Sequence, residues 1–282
     1  MDSARARFDS ALAGVPVTPV VTGLSFVDPA LLPGPGGPAR RPAAALAHAC
    51  AELYLDFAFV PSWEPWALDA VAGLRTAGVV ALWAVPGVFT PVLEGEGAGA
   101  VLRATERDPG RLAEALDSAT RLSASAIDAG IAAGADAIVV ADDLAGADGP
   151  IASPSFLDAE VFPRLALLAE VARAADLRAL LHCDGDARRI LALVRDSGFS
   201  GVHGDCGGAQ GVEPSLEVAR AVGIALVGGV PTSTLTGPAS GAAAPAATLA
   251  DGGGLLIADD GGLTSPEQVA ALFIALRAVN HG

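Results

Sequence analysis

Histidine, cysteine and aspartate residues concentrate in two short segments in the second half of the chain. The first segment reads His182-Cys183-Asp184-Gly185-Asp186, and the second reads His203-Gly204-Asp205-Cys206. Imidazole, thiolate and carboxylate groups are ligands of zinc and related divalent metals. The same groups act as general acids and bases without a metal. A structural alternative is that the cysteines pack as small apolar residues while the histidines bond to loop backbone.

Aspartate pairs and large aromatic side chains are the other candidates for chemistry. Asp142-Asp143 and Asp259-Asp260 could hold cations or accept hydrogen bonds from a substrate, but one aspartate of each pair is expected to cap a helix or hold a loop. The aromatic residues predict an apolar pocket that accepts a ring, with ordinary packing as the alternative. These residues are Trp63, Trp66, Trp83 and Phe89.

The elements that would position these residues form a recurring unit, in which a short apolar run is followed by a loop and an Ala- and Leu-rich stretch. Continuous apolar runs are typical of strands buried on both faces of a parallel sheet. Eight strands are predicted, at Val15–Phe26, Leu55–Pro61, Val79–Val85, Ala137–Ala141, Arg178–His182, Gly201–His203, Ile224–Val227 and Leu255–Ala258. Helices are predicted near 42–54, 65–77, 109–134, 155–175, 187–197, 214–222, 241–251 and 266–280.

Alternating strands and helices predict an α/β fold, and eight such units predict a single (β/α)8 TIM-type barrel with parallel strands and a short N-terminal extension. We expect residues 1–282 to form one domain. Two segments after strands are predicted to be loops, Pro29–Pro42 and Glu94–Ala100. In barrel enzymes the active site lies at the carboxyl ends of the strands, where the candidate residues all fall.

Composition excludes several classes of function. The 17 basic residues are all arginine, so mechanisms that need a lysine amine are excluded. The net charge of −15 disfavours binding to nucleic acid or to an anionic membrane. Three cysteines imply no disulfide framework, and no apolar stretch reaches the roughly 18 residues of a membrane span. We therefore expect a cytoplasmic protein.

Short segments spread over most of the chain follow one another in the order found in a known protein family. They include Leu55-Asp56-Phe57, Pro61-Ser62-Trp63-Glu64-Pro65-Trp66, Ala133-Gly134-Ala135-Asp136, Asp142-Asp143, Ser153-Pro154, Leu181-His182, Gly185-Asp186, Gly228-Gly229-Val230-Pro231 and residues 254–263. In this order they resemble the uroporphyrinogen decarboxylase superfamily. The resemblance implies a TIM-type barrel whose site lies at the carboxyl ends of the strands.

The superfamily implies two chemistries. True decarboxylases act on a polycarboxylated tetrapyrrole without a cofactor and carry an N-terminal Arg-Gln-Ala-Gly-Arg motif, which this sequence lacks. Corrinoid-linked methyltransferases hold a zinc through His-x-Cys after strand five and a cysteine after strand eight, and the zinc activates a thiol. Here His182 matches the histidine, Asp184 stands at the first cysteine with Cys183 one place early, and Gly261 stands at the last cysteine.

The resemblance therefore favours an enzyme closer to the methyltransferase branch. Such an enzyme transfers a methyl group between a corrinoid carrier and a small acceptor. A metal could assist the transfer, and zinc is the candidate. The expected partners are a small-molecule substrate and a corrinoid carrier protein, and a homo-oligomer stays open. The alternatives are a cofactor-free decarboxylase with Asp143 as proton donor and a non-catalytic barrel that binds a tetrapyrrole or corrinoid. The predicted catalytic residues are Asp143, His182, His203 and Asp260, and the predicted metal ligands are His182, Asp184, Asp205 and Cys206.

Overall fold

Eight parallel strands form the centre of the protein in a computed structural model that describes residues 3–32, 41–204, 211–235 and 243–281. The barrel strands are β1 Gly23–Leu24, β2 Phe57–Pro61, β3 Val80–Pro86, β4 Ala137–Ala141, β7 Arg178–His182, β8 Gly201–His203, β9 Ala225–Val230 and β10 Leu255–Asp259, while β5 Ala145–Gly146 and β6 Gly149–Pro150 form a separate hairpin. The sheet order is β1-β2-β3-β4-β7-β8-β9-β10, so each strand pairs with the next barrel strand along the chain. The predicted TIM-type barrel is confirmed.

The sheet closes between its first and last strands. The backbone N–H of Ile257 donates to the carbonyl of Val21 at 2.9 Å, and Thr22 and Ile257 form a parallel bridge. The first strand is much shorter than its prediction over Val15–Phe26. Pro16 and Pro19 have no N–H group and cannot extend a ladder of hydrogen bonds, so pairing begins only after them.

Apart from the first helix, which precedes β1, the helices follow barrel strands and cover the outside of the sheet. Their bounds are α1 Ala4–Leu12, α2 Pro42–Leu53, α3 Ala67–Thr76, α4 Thr90–Glu96, α5 Ala98–Arg107, α6 Ala113–Ala133, α7 Pro154–Phe156, α8 Phe162–Ala174, α9 Leu191–Asp196, α10 Val212–Val222, α11 Ala244–Ala250 and α12 Pro266–His281. A π-helical turn, Leu157–Val161, joins α7 to α8. Single 3-10 turns cover Pro29–Leu31, Pro109–Leu112, Arg188–Ile190 and Thr232–Thr234.

The prediction of a loop at Glu94–Ala100 is wrong. Helices α4 and α5 fill this segment and meet at Gly97, whose φ of 84° ends one helix and allows the turn into the next. Helix α5 forms because Val101 and Ala104 lie one turn apart and are buried on the same face. The other predicted loop, Pro29–Pro42, is described only at its two ends.

A small antiparallel hairpin, β5 Ala145–Gly146 with β6 Gly149–Pro150, follows β4 and was not predicted. The carbonyl of Gly146 accepts the N–H of Asp186 at 2.8 Å. The hairpin therefore braces the loop after β7, where several of the candidate site residues lie.

The short N-terminal extension contains α1, which packs against the amino-terminal end of the barrel. Phe8 and Leu12 are buried in the same cluster as the inward-facing side chains of the strands. Arg7 pairs with Asp56 just before β2, and Arg5 contacts Asp136 just before β4 at 3.0 Å. Since α1 closes this end, access to the barrel interior is left to the opposite end.

No helix among the described residues combines the length and the apolar character needed to cross a membrane.

Candidate active site

Two histidines end neighbouring strands at the open end of the barrel. His182 is the last residue of β7 and His203 is the last residue of β8, and the two are paired in register. Leu180, two residues before His182, belongs to the buried cluster inside the barrel, whereas Leu181 belongs to the cluster between the strands and the helices. Since side chains alternate along a strand, His182 points inward, as Leu180 does.

A chain of hydrogen bonds fixes the tautomers of these histidines. His203 Nε2 lies 3.0 Å from the backbone carbonyl oxygen of Asp259, which can only accept, so we assign the proton of His203 to Nε2. His203 Nδ1 then carries a lone pair, and it lies 2.8 Å from Nδ1 of His182. His182 therefore donates from Nδ1 and keeps a lone pair on Nε2.

Burial keeps both imidazole rings neutral. Desolvation lowers the pKa of His182 to about 4. Desolvation, and then the neighbouring His182, lower the pKa of His203. Aromatic rings provide this apolar setting, with Phe26 at 4.8 Å from His182 and Phe59 at 4.8 Å from His203 between ring centroids. At neutral pH the free Nε2 of His182 is thus a ligand or a base, not an acid.

Two carboxylates face that nitrogen. Oδ1 of Asp143 lies 3.9 Å from His182 Nε2, and Oδ1 of Asp184 lies 3.8 Å from it. Asp143 also accepts the backbone N–H of Asp184 at 3.0 Å, which holds the two loops together. One ligand atom from each of Asp143, His182 and Asp184 lies within 4.8 Å of the others, an arrangement that can hold a metal ion.

Asp142 and Asp259, one aspartate from each of the two pairs, hold in place the loops around Asp143, His182 and Asp184. The buried carboxylate of Asp142 accepts the backbone N–H groups of Val88, Phe89 and Thr90 and so caps α4. Gly87 allows this approach, because a Cβ there would collide with Asp142. Asp259 accepts the N–H of Ser25 at 3.0 Å and that of Gly261 at 3.1 Å. It thereby ties the end of β10 to the end of β1 and places the carbonyl that holds His203.

A cavity of about 470 Å³ opens above the histidines. His182 and Ala141 line its floor, and Phe26 and Trp63 form an aromatic wall. The two rings of that wall are stacked, with centroids 6.0 Å apart and planes 21° apart.

The opposite side of the cavity comes from β3 and α4 and carries Pro86, Thr90, Pro91 and Glu94. Thr90 connects this side to the carboxylate group, because its Oγ1 accepts the backbone N–H of Asp143 at 2.8 Å. A cavity of this size, with few polar groups converging on one point, is typical of a small-molecule site.

Comparison with known proteins identifies the family of this chain. The family model of uroporphyrinogen decarboxylase (URO-D) matches residues 70–258, which is 189 of the 282 residues. This chain belongs to the URO-D family. No curated protein sequence is similar enough to this URO-D family chain to count as a match.

Solved structures support the barrel fold of this URO-D family protein. A methyltransferase from Methanosarcina mazei is 23% identical over 98% of both chains, with a TM-score of 0.75. D-allulose 3-epimerase from Methylomonas sp. is 15% identical over 93% of this chain and 95% of its own, with a TM-score of 0.57. An L-ribulose 3-epimerase is 12% identical over 90% and 92%, with a TM-score of 0.58. At such identities the likeness establishes the fold alone.

The zinc-binding thiolates that the family resemblance implied have no counterparts among the described residues. Cys183 points away from the cavity, since it is buried in the cluster between strands and helices and its Sγ accepts the N–H of Leu144 at 3.3 Å. Burial raises the pKa of the Cys183 thiol to about 12, so it stays protonated. Gly261 contributes no donor side chain. Asp205 and Cys206, both predicted metal ligands, lie outside the described residues.

Other predicted site residues fall in different surroundings. Asp260 does not line the cavity but binds the backbone N–H of Thr232 at 2.8 Å, which links the loops after β9 and β10. Trp66 lines a neighbouring cavity of about 370 Å³, which shares Phe26 and Trp63 with the main one.

The prediction that Trp83 and Phe89 line the pocket is wrong. Both are buried among the residues between strands and helices. Trp83 lies on the outer face of β3, where its indole N–H donates to the carbonyl of Ala126 on α6 at 2.9 Å. Phe89 packs against Phe156, with ring centroids 5.7 Å apart.

Six residues that line the cavity were not predicted as site residues, and Phe26, Thr90 and Glu94 are among them. Phe26 was within reach, because it ends the first predicted strand and so belongs at the barrel mouth. Glu94 was not, because Glu94–Ala100 is predicted to be a loop, whereas Glu94 belongs to a helix that leans over the site; no helix is predicted at Thr90, where that helix begins.

The substitution Trp83→Phe is expected to lower the free energy of unfolding by about 1–2 kcal/mol, because the hydrogen bond from the indole N–H to the carbonyl of Ala126 is lost and the smaller ring leaves buried space unfilled. It should leave ligand binding in the cavity unchanged, since Trp83 does not line it. Urea denaturation measures the first effect and zinc titration the second. An altered zinc affinity with unaltered stability would contradict the position of Trp83 described above.

Proposed function

We propose that this protein is a methyltransferase of the URO-D family, which transfers a methyl group between a corrinoid carrier and a small acceptor with the help of a divalent metal. The observation that supports the proposal most is the free lone pair of His182 Nε2, which faces two carboxylates at the floor of the cavity. Three converging donors at the carboxyl end of a barrel are what a metal-dependent transfer needs.

The donor set fits a divalent metal. Two ligands of one tetrahedral zinc ion lie roughly 3.3–3.6 Å apart, given metal–ligand distances of about 2.0–2.2 Å. The distances of 3.8 and 3.9 Å from His182 Nε2 to the two carboxylate oxygens are only slightly longer. One nitrogen and two oxygen ligands are harder donors than the cysteine thiolates that the family resemblance implies. A site with these ligands is therefore less selective for zinc over manganese or cobalt.

A bound divalent metal would lower the pKa of an acceptor thiol and so supply a thiolate near neutral pH. The chain itself orients the donors. His203 holds the ring of His182 through the bond between their Nδ1 atoms, and Asp259 holds His203 in turn. Such outer partners fix the tautomer and the ring orientation of a ligating histidine.

The corrinoid enters as a substrate that a carrier protein brings to the open end of the barrel. Trp63 stands at this opening with 51% of its surface exposed, and exposed tryptophan is enriched where proteins bind partners. The methyl-bearing group would then approach the cavity from the side opposite the histidine floor.

Charge argues against the decarboxylase alternative. A polycarboxylated tetrapyrrole requires arginine or other cationic partners. The described residues that line the cavity include no arginine, whereas Glu94 and Asp143 are both acidic. The cavity therefore disfavours a polyanionic substrate.

Metal analysis and a transfer assay test the proposal. Protein expressed with added zinc should contain close to one zinc per chain by mass spectrometry, and less than about 0.2 per chain would overturn the metal site. The zinc-loaded protein should demethylate free methylcobalamin with 2-mercaptoethanol as acceptor, which the visible spectrum of cobalamin reports. Absence of zinc-dependent transfer, together with turnover of a porphyrinogen, would favour the decarboxylase instead.

A further inference from the structure

The cavity at the barrel mouth is acidic. Its described lining residues include the carboxylates of Glu94 and Asp143 and no arginine. A divalent metal held by Asp143, His182 and Asp184 would balance the charges of the two aspartates. Glu94 would still leave one negative charge, so the cavity attracts cations and repels anions.

One wall of the same cavity is aromatic and firmly held. Trp63 stacks on Phe26, and Phe26 meets the ring of His182 edge-on with centroids 4.8 Å apart. Trp63 is half-exposed, so its ring is open to a ligand. The face of an indole ring attracts weakly hydrated cations such as alkylated ammonium groups.

These two observations point to a substrate class, and the inference rests on the proposed function. We propose that the small acceptor is a cationic thiol, whose alkylammonium group lies against the exposed ring of Trp63 with Glu94 across the cavity, while its sulfur reaches the metal site. An acceptor with an anionic end meets no cationic side chain among the described residues that line this cavity.

The transfer balances with this acceptor. The thiol releases its proton to solvent, and its sulfur forms a bond to the methyl carbon. The bond between methyl and cobalt breaks, and its electron pair stays on the carrier. The ammonium group takes no part in the chemistry and serves only to bind and orient the acceptor.

A matched series of thiols tests the proposal by calorimetric titration of the zinc-loaded protein. The probes are thiocholine, 2-mercaptoethanol and 2-mercaptoethanesulfonate, which are cationic, neutral and anionic. Thiocholine should bind roughly 2- to 30-fold more tightly than 2-mercaptoethanol, as a cation–π contact allows. The sulfonate should bind most weakly. Equal or tighter binding of the sulfonate would overturn the proposal.

Choline separates this inference from the proposed function, because it carries the ammonium group but no thiol. It should bind whether or not zinc is present, so a failure of the metal site leaves this test intact. Absence of choline binding to both forms would overturn the inference while leaving metal-assisted methyl transfer standing.

Variants locate the ammonium site. Trp63→Leu keeps an apolar side chain but removes the ring, and it should lower choline affinity about 3- to 10-fold. Glu94→Gln should have a smaller effect, since Glu94 is exposed. Glu96→Gln is the matched control, because it removes the same charge two residues along α4, where Glu96 pairs with Arg111 outside the cavity. Unchanged choline affinity in Trp63→Leu would overturn the proposed position.

Discussion

Replacing His182 with alanine is expected to lower the affinity for zinc by more than about 100-fold. His182 supplies the single nitrogen of the three-residue donor group. Changes to residues that merely orient a ligating histidine already cost about 10- to 100-fold, so loss of the ligand itself costs more. Competition with a chromophoric chelator measures the affinity.

His48→Ala is the matched control for this experiment. His48 is half-buried on α2, where it contacts Glu52 at 3.2 Å, and it does not line the cavity. Its zinc affinity should equal that of the wild type. If both histidine variants bind zinc as tightly as the wild type, the metal does not bind at the floor of the cavity.

Two variants of His203 extend the same test to the hydrogen-bond chain. In His203→Asn the amide oxygen takes the place of Nδ1 and can still accept the proton of His182. In His203→Gln the amide nitrogen takes the place of Nε2 and can bond only to the carbonyl of Asp259. If orientation of His182 is what matters, the asparagine variant keeps more of the zinc affinity than the glutamine variant.

The barrel could be predicted because strands buried on both faces appear as continuous apolar runs, and seven of the eight differ from their predictions by three residues or fewer at either end. The convergence of His182 and His203 followed from the same argument, since adjacent parallel strands end at one edge. The structural role of one aspartate in each pair also agrees with the expectation, through Asp142 and Asp259.

Side-chain direction could not be predicted from those runs. In β3 every residue from Val80 to Val85 is buried, so the sequence shows no alternation that separates the inner face from the outer one. Trp83 therefore looked like a residue of the mouth although it packs under α6. Cys183 raised the same ambiguity, one residue after the inward-facing His182.

Contacts between segments that are distant along the chain could not be predicted from the sequence either. Phe26 reaches the site because β1 closes the barrel beside β10, and closure is a property of the whole sheet. Glu94 reaches it because Asp142, at the end of a different strand, caps α4 and sets its direction. Neither relation leaves a local pattern in the chain.

The metal-free protein is expected to lose about 4 kcal/mol of stability between pH 7 and pH 5 through His182 and His203 together. Burial lowers the pKa of His182 from 6.5 to about 4 and also lowers that of His203. The unfolded chain therefore binds more protons than the folded chain below pH 6.5. Stability is full above that pH and is lost as the pH falls toward about 4.

Carboxylates and the net charge of −15 also affect stability over this range, so the wild type alone does not isolate the histidines. His203→Asn removes one of the two groups and leaves the others in place. Between pH 7 and pH 5, this variant should lose about 2 kcal/mol less folding stability than the wild type, because one buried histidine contributes about that amount over this interval. Urea unfolding at both pH values measures the difference. Equal losses in the two proteins would mean that His203 is protonated in the folded state, and the lone pair assigned to His182 Nε2 would then have no basis.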